Sequence, residues 1–209
     1  MQRTIFDTPF ISVVGRIWAR LFLGAIGWKK EGELPHPQKF VMIAAPHTTN
    51  WDLPIMLALG FLLRGKLFWM TKDSVFRWPF GGFLRWLGGI PIDRSKANGV
   101  VGQCIDLFAQ HDELILAVPP EGTRKKVRSW KTGFYYIALG AQVPIALGYL
   151  DYKRRRGGVE RLFYPTGDYD TDIREIQAFY KTITPKYPDK TDMGAGESTE
   201  TAPSEKGAE

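Results

Sequence analysis

The chain has 209 residues, 44% of them hydrophobic, and a net charge of +6, which suits one domain of ordinary size and excludes a disordered chain. A single cysteine, Cys104, excludes an internal disulfide and a cysteine-based zinc site, and reads as a buried thiol in a reducing compartment. The charge is uneven: Asp189–Glu209 carries −4, leaving +10 on Met1–Pro188, and such a basic body attracts the phosphates of nucleic acid, anionic lipid or a small substrate.

The first element is apolar, "FISVVGRIWARLFLGAIGW", residues 10–28. Arg16 and Arg20 interrupt it four residues apart, on one helical face. Opposite them lie Ile11, Val14, Trp18, Leu21, Phe22 and Ala25. Two arginines burden a spanning helix; a helix lying in the interface, apolar face to lipid and arginines to headgroups, fits better. The bland alternative is an amphipathic helix packed on the domain. No signal-peptide layout is present, since arginine breaks the apolar run.

"KKEGELPHP" reads as a polar linker. Strands are then expected at Phe40–Ala45, Leu67–Thr71, Gly89–Asp93, Leu114–Val118, Val143–Leu150 and Arg161–Tyr164. Helices are expected at Leu53–Leu63, Ala97–Gln110, Gly133–Ala141 and Thr171–Ile183. Val75–Leu87 is aromatic-rich and partly helical, broken by Pro79 and Gly81-Gly82. This alternation predicts an α/β fold with a largely parallel sheet flanked by helices. The expected divisions are a membrane-associating segment and linker over 1–35, an α/β domain over 36–186, and a disordered acidic tail over 187–209.

One stretch raises a chemical question. In "APHTTNWD", His47 and Asp52 stand five residues apart behind an apolar strand. An unbroken helix would set them roughly 140° apart, and a strand would put them on opposite faces. Only a strand that ends near Ala45, turns, and starts a helix near Asn50–Asp52 brings them together. Thr49, Asn50 and Asp52 are good N-cap types, and Pro54 is tolerated in a first turn. Strand ends are where α/β sheets bind ligands. A histidine joined to a carboxylate there can take a proton from a hydroxyl. No G-x-S-x-G elbow is present, so that hydroxyl would belong to the substrate. A capping aspartate beside a structural histidine is the other reading.

"PPEGTRKK", Pro119–Lys126, is again a strand end, with glycine for a tight turn and Arg124 to bind an anion. Together with "GGIPIDRS", Gly88–Ser95, these blocks resemble the phospholipid and glycerol acyltransferase family, of the lysophosphatidate acyltransferase type. Four family blocks occur in order: H-x-x-x-x-D at His47–Asp52, a Gly-rich stretch ending in I-D-R at Lys72–Arg94, P-E-G-T-R at Pro120–Arg124, and V-P-I at Val143–Ile145. The resemblance spans about Phe40–Leu150.

It implies an enzyme that moves a fatty acyl group from an acyl thioester to the free hydroxyl of a lysophospholipid, in first place 1-acylglycerol-3-phosphate, in membrane phospholipid synthesis. His47 would be the general base and Asp52 would orient it. Arg94, Glu121, Gly122 and Arg124 would bind the phosphate or glycerol part of the acceptor, and Thr123 would help hold the turn. Paired guanidinium hydrogen bonds suit a phosphate; Glu121 either accepts from a substrate hydroxyl or pairs with Arg124. Val143–Ile145 either lines the acyl site or is a central buried strand.

The resemblance also implies no bound cofactor, with acyl-coenzyme A or acyl carrier protein as donor substrate. It implies a peripheral or monotopic place at the cytoplasmic face of a membrane. The sequence departs from the family's common pattern at Pro46 before the histidine and at Pro119 and Lys125 around P-E-G-T-R. The loop at Pro46 leaves the acceptor open, so lyso-ornithine lipid is an alternative, as is a non-catalytic peripheral lipid-binding protein.

The basic runs Arg124–Lys131 and Tyr152–Arg156 suit lipid headgroups, coenzyme A or acyl carrier protein, or form a solvated face. Phe76–Gly88 interleaves arginine with aromatics, as at an interface or in a core. No nucleic-acid motif accompanies the positive charge. His47 and Asp52 alone are too few ligands for a catalytic metal.

Overall fold

The structure is a computed structural model that describes residues 3–93, 95, 99–121 and 130–190. Arg94, Gly122, Thr123 and Arg124, and the tail from 191 onward, lie outside the described residues.

Helix α1 (Ile11–Ala25) leads into a short strand β1 (Lys29–Glu31). Then follow β2 (Lys39–Ala45), α2 (Asp52–Leu63), β3 (Leu67–Lys72), α3 (Gly81–Trp86) and β4 (Gly89–Ile92). The chain continues through α4 (Gly99–Ala109), β5 (Leu114–Val118), α5 (Gly133–Ala141), β6 (Ile145–Asp151), β7 (Arg156–Phe163) and α6 (Tyr169–Tyr180). The strands form one seven-stranded sheet in the order β1-β7-β6-β2-β5-β3-β4. Every neighbouring pair is parallel except β6 and β7.

The apolar runs dictate the centre. β5 and β6 bury nearly every side chain, as strands covered on both faces must. Alternation in β2 sends Val41 and Ile43 to one face and Phe40 and Met42 to the other. The first face packs under α4, α5 and α6 through Phe108, Phe134, Tyr135 and Ile176. The second packs under α1 and α2 through Leu23, Ile55, Ala58 and Leu59. The fold is thus three-layered, and α1 is part of it: Ala19 and Leu23 are buried, while Phe10, Val13, Ile17 and Leu21 face outward. Close approach of α1 to α2 requires Gly15, because a methyl group there would run into the Phe61 ring.

Several elements differ from their expected form. The stretch read as a linker contributes β1, which adds a parallel strand beside β7. Gly81 and Gly82 open α3 rather than break it, and a 3₁₀ turn at Asp73–Phe76 precedes it. β7 begins at Arg156, five residues before the expected start. Cys104 is fully buried, and desolvation pushes its thiol up to about 12. Among the described residues no helix is long and apolar enough to cross a membrane.

Candidate active site

The site forms where two neighbouring central strands end. β2 stops at Ala45, and the chain passes through a cis Ala45–Pro46 peptide to His47. β5 stops at Val118, three residues before Glu121. The following helices leave to opposite faces, α2 to one and α5 to the other. Such divergence opens the crevice in which α/β sheets bind ligands.

The turn from β2 into α2 folds around a carboxylate. His47 Nδ1 lies 2.9 Å from Asp52 Oδ2. The backbone N–H groups of Thr48 and Thr49 both donate to the same oxygen at 3.1 Å. Asp52 Oδ1 accepts the Tyr152 hydroxyl at 2.6 Å. Each of these four partners serves as a donor, which is what an ionised carboxylate takes. Asp52 is only 1% exposed, so its charge is compensated by these bonds rather than by water.

Capping differs from expectation. Trp51 holds the N-cap position of α2 without a side-chain bond, and Asp52 is the first helical residue. Its side chain reaches back to amides ahead of the helix. The carboxylate also sits at the positive end of the helix dipole.

With Nδ1 donating to the carboxylate, a neutral His47 ring keeps its lone pair on Nε2. That nitrogen has no hydrogen-bond partner among the described residues. The ring is 23% exposed, so a substrate hydroxyl can reach it.

Glu121 closes the other side. Its Oε1 accepts the His47 backbone N–H at 3.2 Å, tying the end of β5 to the histidine loop. Its Oε2 is buried and has no partner among the described residues. Burial raises this carboxyl above the ordinary range, and the Asp52 charge adds to the rise; backbone N–H donors and the nearby His47 oppose it.

Below His47 runs an apolar cavity of about 560 Å³ including its mouth, between α2 and the sheet. Ala45, His47 and Asp52 line it at one end, Met56 and Leu59 along its length, and Leu34 and Leu63 at the other. Among the described residues no three His, Cys, Asp or Glu side chains gather as metal ligands do.

Tyr152 did not emerge as a site residue in the sequence. It stands in the basic run Tyr152–Arg156, of which residues 152–155 form the β6–β7 connection and Arg156 opens β7. Arg154 bonds Asp151 at 2.7 Å, Arg155 reaches the Ile26 carbonyl at 3.4 Å, and Arg156 approaches Glu31 at 3.7 Å. Trp28, just beyond α1, packs edge-on against the Tyr152 ring at 4.9 Å. The signal was positional: Tyr152 stands just past the end of a buried central strand, as His47 and Glu121 do.

Residues 28–146 match the sequence profile of the Acyltransferase family, more than half of the chain. The chain belongs to the Acyltransferase family. The matched span includes His47, Asp52, Arg94 and the Glu121–Arg124 block. The chain is similar to the 1-acyl-sn-glycerol-3-phosphate acyltransferase of Haemophilus influenzae, 31% identical over 145 residues, covering 65% of this chain and 58% of that protein. It is also similar to the Streptococcus pneumoniae protein of the same description, 27% identical over 114 residues, covering 54% of this chain and 42% of that one. The chain thus spans about half the length of these curated relatives. The crystal structure of the 1-acyl-sn-glycerophosphate acyltransferase of Thermotoga maritima shares the fold, with a TM-score of 0.57 at 18% identity, over 82% of this chain and 77% of that one.

Proposed function

We propose that this acyltransferase-family protein transfers a fatty acyl group from an acyl thioester to the free hydroxyl of 1-acylglycerol-3-phosphate at a membrane surface. The observation that carries the reading is the 2.9 Å contact between His47 Nδ1 and Asp52 Oδ2 at the mouth of an apolar cavity. His47 Nε2 takes the proton of the acceptor hydroxyl as its oxygen attacks the thioester carbonyl. The tetrahedral intermediate expels the thiolate, which receives that proton from His47 and leaves as the thiol. Asp52 fixes the tautomer and steadies the imidazolium that forms in between. No covalent acyl-enzyme is needed, and no cofactor takes part.

The apolar cavity suits an acyl chain held with its carbonyl near His47. Glu121 Oε2, buried and unpartnered among the described residues, suits a hydroxyl of the acceptor's glycerol. By the family pattern Arg94 and Arg124 hold the phosphate, with Gly122 and Thr123 shaping the turn. The donor is acyl-coenzyme A or acyl carrier protein. The outward apolar face of α1 supports a peripheral or monotopic place on a bilayer, and the family resemblance suggests its cytoplasmic face.

The test is to incubate the purified chain with labelled acyl thioesters and a panel of lysolipids that includes lysophosphatidate and lyso-ornithine lipid. Labelled phosphatidate is the expected product. Acylation of a different lysolipid alone would refute the acceptor, and acylation of none would refute the enzyme.

A further inference from the structure

A second polar feature lies at the opposite end of α2 from His47. Between α1, the C-terminal end of α2 and the β1–β2 connection runs a cleft of about 1260 Å³, including its open mouth. Arg16, Arg20, Lys30 and Arg64 line it, with Glu33 and His36. Four cations against one carboxylate leave +3 with the histidine neutral. Lys30 already pairs with Glu33. Arg16, Arg20 and Arg64 form no ion pair among the described residues. Glu33 is the acid in the lining and its carboxylate is taken by Lys30, with Arg64 acting on it only at longer range; the guanidinium groups that remain favour an anion that they can grip by paired hydrogen bonds.

The surroundings say which anion. Arg16 and Arg20 each stand one residue before an exposed apolar neighbour, Ile17 and Leu21, which is about 100° around the helix. The exposed stripe continues through Phe10, Val13 and Val14, and Leu21 is 70% exposed. When that stripe lies in the acyl region of a bilayer, the arginine flank sits at headgroup level, where phosphates are. The cleft is also remote from the reaction. Leu62, Leu63 and Arg64 line it at the far end of a twelve-residue helix whose first residue is Asp52, about 18 Å away. Leu34 and Leu63 line both the cleft and the apolar cavity, and so stand between them.

We propose that this cleft binds the phosphate of an anionic phospholipid of the bilayer, at a site separate from that of the acceptor. It rests on the proposed function only in requiring that α1 meet a membrane. The bound headgroup would fix the rotation of α1 on the surface and, through it, the orientation of the whole domain.

The test is vesicle binding by the full chain, with mixed phosphatidylglycerol and phosphatidylcholine vesicles compared with phosphatidylcholine alone. The double variant Arg16→Gln/Arg64→Gln is measured beside Arg174→Gln/Lys181→Gln, which removes the same charge from the other face of the sheet. The cleft variant should lose about tenfold or more of its affinity for the anionic vesicles relative to that control. Equal losses in the two would overturn the proposal, since only general attraction would remain.

Without vesicles, inorganic phosphate should protect the wild-type chain against thermal unfolding no more than it protects the Arg16→Gln/Arg64→Gln variant. Protection confined to the wild type would mean that free phosphate, not a lipid, is the ligand. If the double variant does not fold, Arg20→Gln at its exposed helix position carries the comparison: a severalfold loss is expected, and none would overturn the idea. Vesicle binding needs no turnover, so absent acyl transfer would count against the enzyme and leave this site standing.

Discussion

The Tyr152 hydroxyl donates to Asp52 Oδ1 at 2.6 Å, from a residue one hundred positions further along the chain. Burial, and then the bond to Asp52, raise its pKa above the ordinary tyrosine range, so it stays a donor at neutral pH. The bond draws charge away from the oxygen pair that holds His47. Among the described residues, Glu121, and Tyr187 beside Tyr152, also titrate near this assembly.

Tyr152→Phe should therefore lower kcat about tenfold with little change in KM, because an interaction of the carboxylate is lost and no substrate contact is. Thermal melts of the two proteins check that the loss is not one of fold, and a KM that rose as kcat fell would contradict a role played through Asp52.

Asp52→Asn should cost about 10²–10⁴ in kcat. The amide can present its nitrogen to His47 Nδ1 and favour the wrong tautomer, and only one oxygen remains where the carboxylate has two. Its amide group must also fit against the N–H groups of Thr48 and Thr49. Steady-state rates with thermal melts as a fold control check this.

Glu121→Gln separates stability from chemistry. The folded-state pKa of Glu121 is raised, so its contribution is most favourable below the unfolded value and is lost as pH climbs through the raised one. The variant escapes that loss. Its melting temperature relative to wild type should rise as the pH climbs above the ordinary glutamate value of 4.5. Acyl transfer should fall even where the fold is more stable.

How much of this was legible beforehand follows from how local each signal is. The His47–Asp52 pair was legible because five residues leave a single geometry that joins them, and the central strands because both their faces are buried. Tyr152 was not, since nothing near it in sequence marks it as facing Asp52. Strand β1 was hidden because Lys29–Glu31 is charged and holds its place by pairing with β7 and by the Glu31 bond from the Tyr149 hydroxyl. Gly81 looked like a breaker, yet its want of a side chain is what lets α3 start against the Phe76 carbonyl. Capping propensity at Thr49 and Asn50 yielded to the carboxylate's ties with His47 and Tyr152.

Gly15→Ala tests whether α1 is an integral layer. Alanine gains up to about 1 kcal/mol of helix propensity, but the added methyl meets the Phe61 ring, and overpacking costs about 1–3 kcal/mol. Net destabilisation of up to about 2 kcal/mol is expected in urea unfolding. A gain in stability would mean that α1 sits loosely on α2.

The most direct measurement is single-turnover acyl transfer from a labelled thioester to lysophosphatidate by the wild-type chain and by His47→Ala, both verified as folded and membrane-binding. Wild type should form labelled phosphatidate, and the variant should do so at least about 10²–10⁴ times more slowly while still binding vesicles. Equal rates in the two proteins would contradict the role given to His47 and Asp52.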